Sequence, residues 1–378
     1  VYEQFGNTFA GLLNGFVRET TTLARIRKFE NSLEASVFDD EVPSGIYRNL
    51  VQTVRSNLEP LFRYYDLKKK LLDVSELHLY DIYTPLISSK NREYTYEEAV
   101  DIVLDALKIY GTEYSETLKA GLKESRWVDV FPSKGKRGGA YSAGCYDSKP
   151  YMLLNFNGTF DDVSTLAHEA GHSMHSWYSR KNNPPHDSSY TIFVAEVAST
   201  VNELLLAHHL LKTTKDRDVK LDILDNLMST YKGTLYRQTM FAEFEEDIHK
   251  TVESGEPLTK ELLSDKYYQL NLRYFGENVV CDPQIAFEWM RIPHFYYNFY
   301  VYKYATCISA ASAIAKRIET EGEPYIRKYL AFLSCGNSKS PIDSLKTAEI
   351  DMTRPEVILS AIDDFRDAVA QFEYLLGQ

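Results

Sequence analysis

What this sequence lacks narrows it before any motif is read. No run of 18 or more apolar residues occurs in its 378 positions, so the usual helical membrane span is not expected. Cysteine is scarce, and Cys145, Cys281, Cys307 and Cys335 lie far apart, unlike a disulfide framework. Free, mostly buried thiols in a reducing compartment, the cytoplasm, are the expectation. Positive charge is in deficit: the formal net charge of −12 argues against nucleic acid or an anionic membrane as a partner. There is no internal repeat, no low-complexity linker and no charged-then-apolar leader segment. What is present, 44% hydrophobic and 25% charged residues, is an ordinary globular balance with material for a large core or two lobes.

The stretch from Leu166 to Trp177, LAHEAGHSMHSW, stands out from this background. His168, Glu169 and His172 form an HExxH pattern. On a helix, positions i and i+4 share a face one turn apart, so both imidazoles can reach one ion while Glu169 points beside it. A neutral imidazole is a good zinc ligand, and a neighbouring carboxylate can take a proton from a metal-bound water. Chance matches to the pattern fall mainly on polar surface helices. Here Val163, Leu166, Ala167, Ala170 and Met174 recur at the helical period, with Ser164 as a candidate N-cap. Two histidines and a glutamate on an otherwise apolar helix need a reason to be there.

A catalytic zinc site takes three protein ligands and keeps a fourth position open. Tyr178 to Tyr190, with Asn182, Asn183, Pro184 and Pro185, reads as a loop, and a second helical stripe begins near Ile192. Glu196 lies beside that stripe, so a helix, turn and antiparallel helix would return it to the two histidines. It is the expected third ligand, with Glu203 either supporting the site or simply solvated. His175 would make HExxHxxH, but three ligands on one straight helix cannot easily surround a tetrahedral ion. His78, His208, His209 and His249 lack partners at ligand spacing and read as packing or surface residues.

Elsewhere the pattern is mainly helical. From about Leu12 to Asp129 apolar residues recur three to four apart, as in Ile46, Leu50, Val54, Leu58 and Leu61, and again in Ala99, Val103, Ala106, Leu107 and Tyr110. Breaks are expected at Pro43, at Pro85 and in the polar stretch from Ser88 to Glu93. Lys134 to Gly139, KGKRGG, lacks the ending of a phosphate loop and reads as a flexible turn. AYSAGCY and PYMLLNF then read as a hairpin beside the HExxH helix. An open strand edge there would pair with an extended peptide through main-chain hydrogen bonds, and Tyr141, Ser142, Ala143 and Gly144 are its expected residues. Downstream, Pro293 can start a helix on which Tyr297, Tyr300 and Tyr304 would share a face near His294. Phenol or imidazolium donors of this kind stabilise negative charge growing on a carbonyl oxygen.

HEAGHSMHSWYS, followed by YTIFVAEVASTVNE, resembles the oligoendopeptidase F family, within the thimet oligopeptidase-like and Pz-peptidase-like zinc metallopeptidases. The likeness extends to GKRGGAYSAGCYDSKPYMLLNFNG and to RIPHFYYNFYVYKYATCISAA, and covers essentially the whole chain. It implies a zincin-like, mainly α metallopeptidase lobe with a small β-sheet beside the HExxH helix. It further implies one zinc ion per chain on His168, His172 and Glu196, Glu169 as catalytic base, and short unfolded peptides as substrates. By the same resemblance Tyr297 and Tyr300 match a tyrosine pair that holds the oxyanion. His294 matches its histidine partner at a shorter spacing than in the thimet-type enzymes, with Tyr296 and Tyr302 as substitutes.

The expected organisation is one continuous unit. Residues 1–130 form a helical region, 131–160 a small hairpin or sheet with the substrate edge, and 161–378 the helical zinc region, closed by tail helices. Members of the resembled family are longer, so an N-terminal portion is expected to be missing. The expected activity is zinc-dependent hydrolysis of internal bonds in short oligopeptides. A peptidyl-dipeptidase or carboxypeptidase on the same framework, or a non-catalytic zinc-stabilised helical binding protein, are the alternatives.

Overall fold

Apolar residues spaced three and four apart build almost all of the regular structure in the computed structural model, which describes residues 1–86 and 93–377. Strands are few and short. The expectation of a mainly α fold with a small sheet holds. The chain divides into two compact units, each assembled from separated segments.

The first unit comprises Val1–Leu86, Met228–Thr306 and Thr353–Gln378. Its long helix Gly6–Ile26 buries Ala10, Leu13, Val17, Thr21 and Ala24 along one stripe, and this stripe packs on the helices Arg237–Glu253 and Lys260–Phe275. The apolar series from Ile46 to Leu61 is buried throughout. It is divided between two helices, Ser44–Arg55 with Pro43 as N-cap, and Glu59–Leu71 with Pro60 in its first turn. Both helices pack against the last helix, Pro355–Leu376. Leu77–His78 pairs in parallel with Val279–Val280. His78 sits there against Asp282, 3.0 Å away, stacked on Tyr80, as a packed histidine.

The second unit comprises Ile87–Leu227 and Cys307–Met352. The helix Tyr96–Leu107 carries the second predicted stripe, and Ala99, Val103, Ala106, Leu107 and Tyr110 are all buried. Helical structure does not run unbroken to Asp129. Val128–Asp129 is a strand, because the segment finds a partner: the amides of Met152 and Leu154 donate to the carbonyls of Trp127 and Asp129 at 2.7 and 2.9 Å. That partner, Tyr151–Leu153, runs parallel to it and antiparallel to Tyr141–Ala143, so the predicted hairpin forms and Tyr141–Ala143 lies at the sheet edge. Pro85 follows a short 3-10 turn, Asp81–Tyr83, whereas the break expected from Ser88 to Glu93 lies, up to residue 92, outside the described residues.

The helix bearing the HExxH pattern spans Phe160–Asn182. Its start lies upstream of the expected Ser164 cap. Thr159 is the N-cap, in a reciprocal box in which its hydroxyl accepts from the Asp162 amide and Asp162 Oδ2 accepts from the Thr159 amide. The helix also continues five residues, Tyr178 to Asn182, into the stretch read as loop. Buried Tyr178 and Ser179 extend it, Asn182 and Asn183 donate to the carbonyls of Tyr178 and Ser179, and Pro184 enforces the stop. A second helix, Ile192–Thr213, packs along it.

No helix among the described residues is long and apolar enough to cross a membrane. Cys281, Cys307 and Cys335 are buried, with the Cys307 thiol donating to Phe193 O at 3.0 Å, and Cys145 is exposed.

Candidate metal centre and aromatic cluster

The close crossing of Phe160–Asn182 and Ile192–Thr213 positions the centre. Gly171 lies at the crossing: a Cβ placed on it would meet Ala198 O and Ser199 Cα at 2.5 Å. Only glycine lets the two backbones approach this far. Asn202, fully buried, ties the pair together by donating from Nδ2 to Ala167 O at 3.2 Å and to the Tyr114 hydroxyl at 3.1 Å.

This crossing brings His168, His172 and Glu196 into a single cluster. The two Nε2 atoms are 3.2 Å apart, and Glu196 Oε2 lies 3.3 Å from each. Tetrahedral coordination with bonds of 2.0–2.1 Å needs ligand atoms about 3.3 Å apart, so this triangle has the size of one face around a zinc ion. The donor set, two imidazole nitrogens and one carboxylate oxygen, is also that of a catalytic zinc site. The cluster is thus positioned to chelate a single metal ion.

The electrostatics agree with a cation seat. Burial alone would lower His168, but the nearby carboxylates of Glu203 and Glu196 hold it well above the usual imidazole range. Burial alone would raise Glu196, yet hydrogen bonds from His168 and His172 hold it well below the usual carboxylate range. A field that retains a proton in this way retains a dication. Ser199 Oγ lies 3.0 Å from Glu196 Oε2, and Glu203 Oε2 lies 3.4 Å from His168 Nδ1, where it orients the ring from behind. Of the two readings left open for Glu203, the geometry supports the supporting role. Glu169 is 5% exposed, and its Oε2 has no hydrogen-bond partner among the described residues. Burial raises its pKa, against the pull of the two histidines and with the nearby carboxylates of Glu196 and Glu203.

His175 stands apart from this group. It is buried, stacked on Tyr190 at 3.7 Å, and burial pushes its pKa down to about 3, as for a neutral core histidine. His208 and His209 are paired with Glu319 and Asp105 at 3.0 and 2.8 Å, and His249 is buried against Ser32.

Two observations decide the family. A model of peptidase family M3 matches residues 1–364, and the chain is 48% identical over 375 residues to oligopeptidase PepF of Bacillus subtilis strain 168, covering 99% of this chain and 56% of that one. The chain belongs to peptidase family M3. Among other M3 relatives, the chromosomal oligoendopeptidase F of Lactococcus lactis subsp. cremoris is 41% identical, covering 99% of this chain and 62% of that protein. A crystal structure of oligoendopeptidase-F from Enterococcus faecium superposes with a TM-score of 0.82 at 38% identity, covering all of this chain and 61% of that chain. This M3 chain therefore spans roughly three-fifths of the length of the relatives it matches.

Beside the M3 metal cluster, in the same unit, the edge strand Tyr141–Ala143 contacts the histidine helix, with Ser142 Oγ 2.7 Å from Ser173 Oγ. Gly144, at φ +151, has its carbonyl engaged by Arg180 at 2.9 Å.

The residues His294, Tyr297 and Tyr300 belong to the first unit, and Tyr297, Tyr300 and Tyr304 do not share a helix face as expected. Pro293–Tyr296 is a 3-10 turn, Asn298 and Phe299 take left-handed dihedrals, and the helix begins only at Tyr302. The irregular backbone nevertheless gathers the three rings. His294 lies 5.6 Å from Tyr297 and 6.1 Å from Tyr300, and the two tyrosines are 6.0 Å apart. Tyr297 is 58% exposed. Tyr302 is fully buried 4.9 Å from Tyr47, and Tyr296 packs against Phe16, so both substitutes are packing residues.

Three features escaped the sequence reading. Gly171 left a signal, since a glycine inside a helical pattern costs stability and implies close packing. The tie through Asn202 and the turn after Tyr297 left none.

Proposed function

We propose that this chain supplies the metal centre of a zinc-dependent endopeptidase that hydrolyses internal bonds of short oligopeptides. The observation behind the reading is the triangle of His168 Nε2, His172 Nε2 and Glu196 Oε2, with sides of 3.2 to 3.3 Å, beside the buried carboxyl of Glu169. Zinc held by those three residues would acidify a bound water and polarise the scissile carbonyl. Glu169 accepts the proton of the attacking water and delivers it to the leaving amine. His294, Tyr297 and Tyr300 donate hydrogen bonds to the oxygen on which negative charge grows. Support for this second role is the family resemblance and the clustering of the three rings. The substrate backbone pairs along Tyr141, Ser142, Ala143 and Gly144, a reading supported by the edge position of the strand and its contact with the histidine helix. The names of the relatives, oligopeptidase and oligoendopeptidase, support short peptides as substrates. Dispersed thiols support a cytoplasmic location.

The test is metal content together with hydrolysis of an internally quenched peptide blocked at both ends, before and after chelation. One zinc per chain, with cleavage lost on chelation and regained with zinc, is the expected result. Cleavage only of peptides with free ends would replace the reading with an exopeptidase. Unfolding on chelation without any cleavage would replace it with a zinc-stabilised binding protein.

A further inference from the structure

The first unit contains a carboxyl group that the chemistry above does not use. Glu245 lies on Arg237–Glu253 and is completely buried. Its Oε1 accepts a 2.6 Å hydrogen bond from the amide of Phe299, while its Oε2, also buried, has no hydrogen-bond partner among the described residues. Burying a carboxyl to satisfy one amide is costly, and burial pushes its pKa up to about 8.

The amide so held lies in an unusual turn. Asn298 and Phe299 have φ values of 49° and 55° in succession. Asparagine visits this region readily, but a bulky phenylalanine does so only when its surroundings impose it. Those surroundings are visible: the Phe299 ring is buried 4.4 Å from His249 and 5.6 Å from Tyr47, and Ser36 Oγ donates to Asn298 O at 2.8 Å. The turn separates Tyr297 from Tyr300, so its dihedrals set the 6.0 Å spacing and 80° angle between those rings.

We infer that Glu245 is a positioning residue: its buried carboxyl clamps the left-handed turn at Asn298–Phe299 through the Phe299 amide, and so fixes Tyr297 and Tyr300 beside His294. The inference rests on the reading of these three rings as donors to the oxyanion. Without the carboxyl, the Phe299 amide is a buried donor with no acceptor, and the turn relaxes out of the left-handed region. Gln keeps an acceptor at the same reach. Leu fills the volume without one, and Asp withdraws the carboxyl by one methylene.

The experiment measures amide hydrogen exchange in the peptide containing residues 297–300, together with kcat, KM and zinc content. The 378-residue chain is compared with Glu245→Leu, Glu245→Asp, Glu245→Gln, Tyr297→Phe and Tyr300→Phe. In Glu245→Leu, exchange at 297–300 should rise and kcat fall about tenfold or more, with KM and zinc content little changed. Glu245→Gln should restore both. Glu245→Asp should show the same changes to a smaller degree and decides the matter if the Leu variant does not fold. Parent-like exchange at 297–300 in both Glu245→Leu and Glu245→Asp would overturn the inference, as would unchanged kcat in those variants when either tyrosine variant is impaired. If neither tyrosine variant is impaired, the donor reading falls, and the exchange measurement alone then decides the clamp.

Discussion

The metal cluster and the aromatic cluster reach similar compactness by opposite routes. In the second unit, two regular helices cross at Gly171 and the ligands follow from helical spacing. In the first unit, a 3-10 turn, two left-handed residues and a buried carboxyl gather His294, Tyr297 and Tyr300. Regular backbone makes a site whose geometry is inherited from the helix. Irregular backbone makes one that must be held from outside, and each hold is a place where it can fail.

The largest expected effect tests the helical site. Glu169→Gln should lower kcat by about 10²- to 10⁴-fold while zinc content, measured by atomic absorption, stays at one per chain. Normal turnover in that variant would remove Glu169 from the chemistry.

The next expectation separates the clamp from the helices by pH. Glu245 titrates at about 8 in the folded chain and near 4.5 when unfolded, so the folded state keeps a proton that the unfolded state loses between these values. Its contribution is therefore fullest below pH 4.5 and declines as pH rises to 8, by on the order of 5 kcal/mol. His249 and His175, both near 3 when folded against an ordinary 6.5, act in the opposite direction. Their neutral forms favour folding above 6.5, and that stability is lost as pH falls toward 3. Urea midpoints across pH 4.5–8 should show the alkaline decline flattened in Glu245→Gln; an identical slope would contradict the assignment.

Gly171→Ala should cost about 3 kcal/mol, because the added methyl meets backbone, which cannot rotate away. Denaturation with and without zinc should show the loss, accompanied by weaker metal binding. Glu203→Gln, smallest of the four, should weaken zinc about 10- to 100-fold with little change in stability, as read by competition with a chromophoric chelator.

How far the sequence is legible follows the same division. His168 and His172 stand at i and i+4 of one helix, so their meeting is a property of the helix itself. Glu196 needed only one further step, a return helix packed on the first. The apolar stripes around Leu50 and Val103 were readable for the same reason, since each repeats a single period. Tyr297 and Tyr300 were legible as residues but not as geometry. The spacing suits a helix face, yet Asn298 and Phe299 are held left-handed from elements 50 or more residues away, Phe299 by Glu245 and His249 and Asn298 by Ser36. Thr159 displaced Ser164 as the cap because the box with Asp162 satisfies amides at both positions. The extension to Asn182 likewise depends on asparagine side chains closing the final carbonyls.

The interleaving of the two units carries a consequence for how the chain is made. The helix Gly6–Ile26 completes its packing only when Arg237–Glu253 arrives; Arg25 donates to Glu253 O across 228 residues. The helices Ser44–Arg55 and Glu59–Leu71 wait still longer, for Pro355–Leu376. At ribosomal rates of about 5–20 residues per second, their apolar stripes stay uncovered for about ten seconds or more. No contiguous stretch forms the first unit, so its early helices must be shielded by transient contacts or by chaperones until synthesis reaches the last helix.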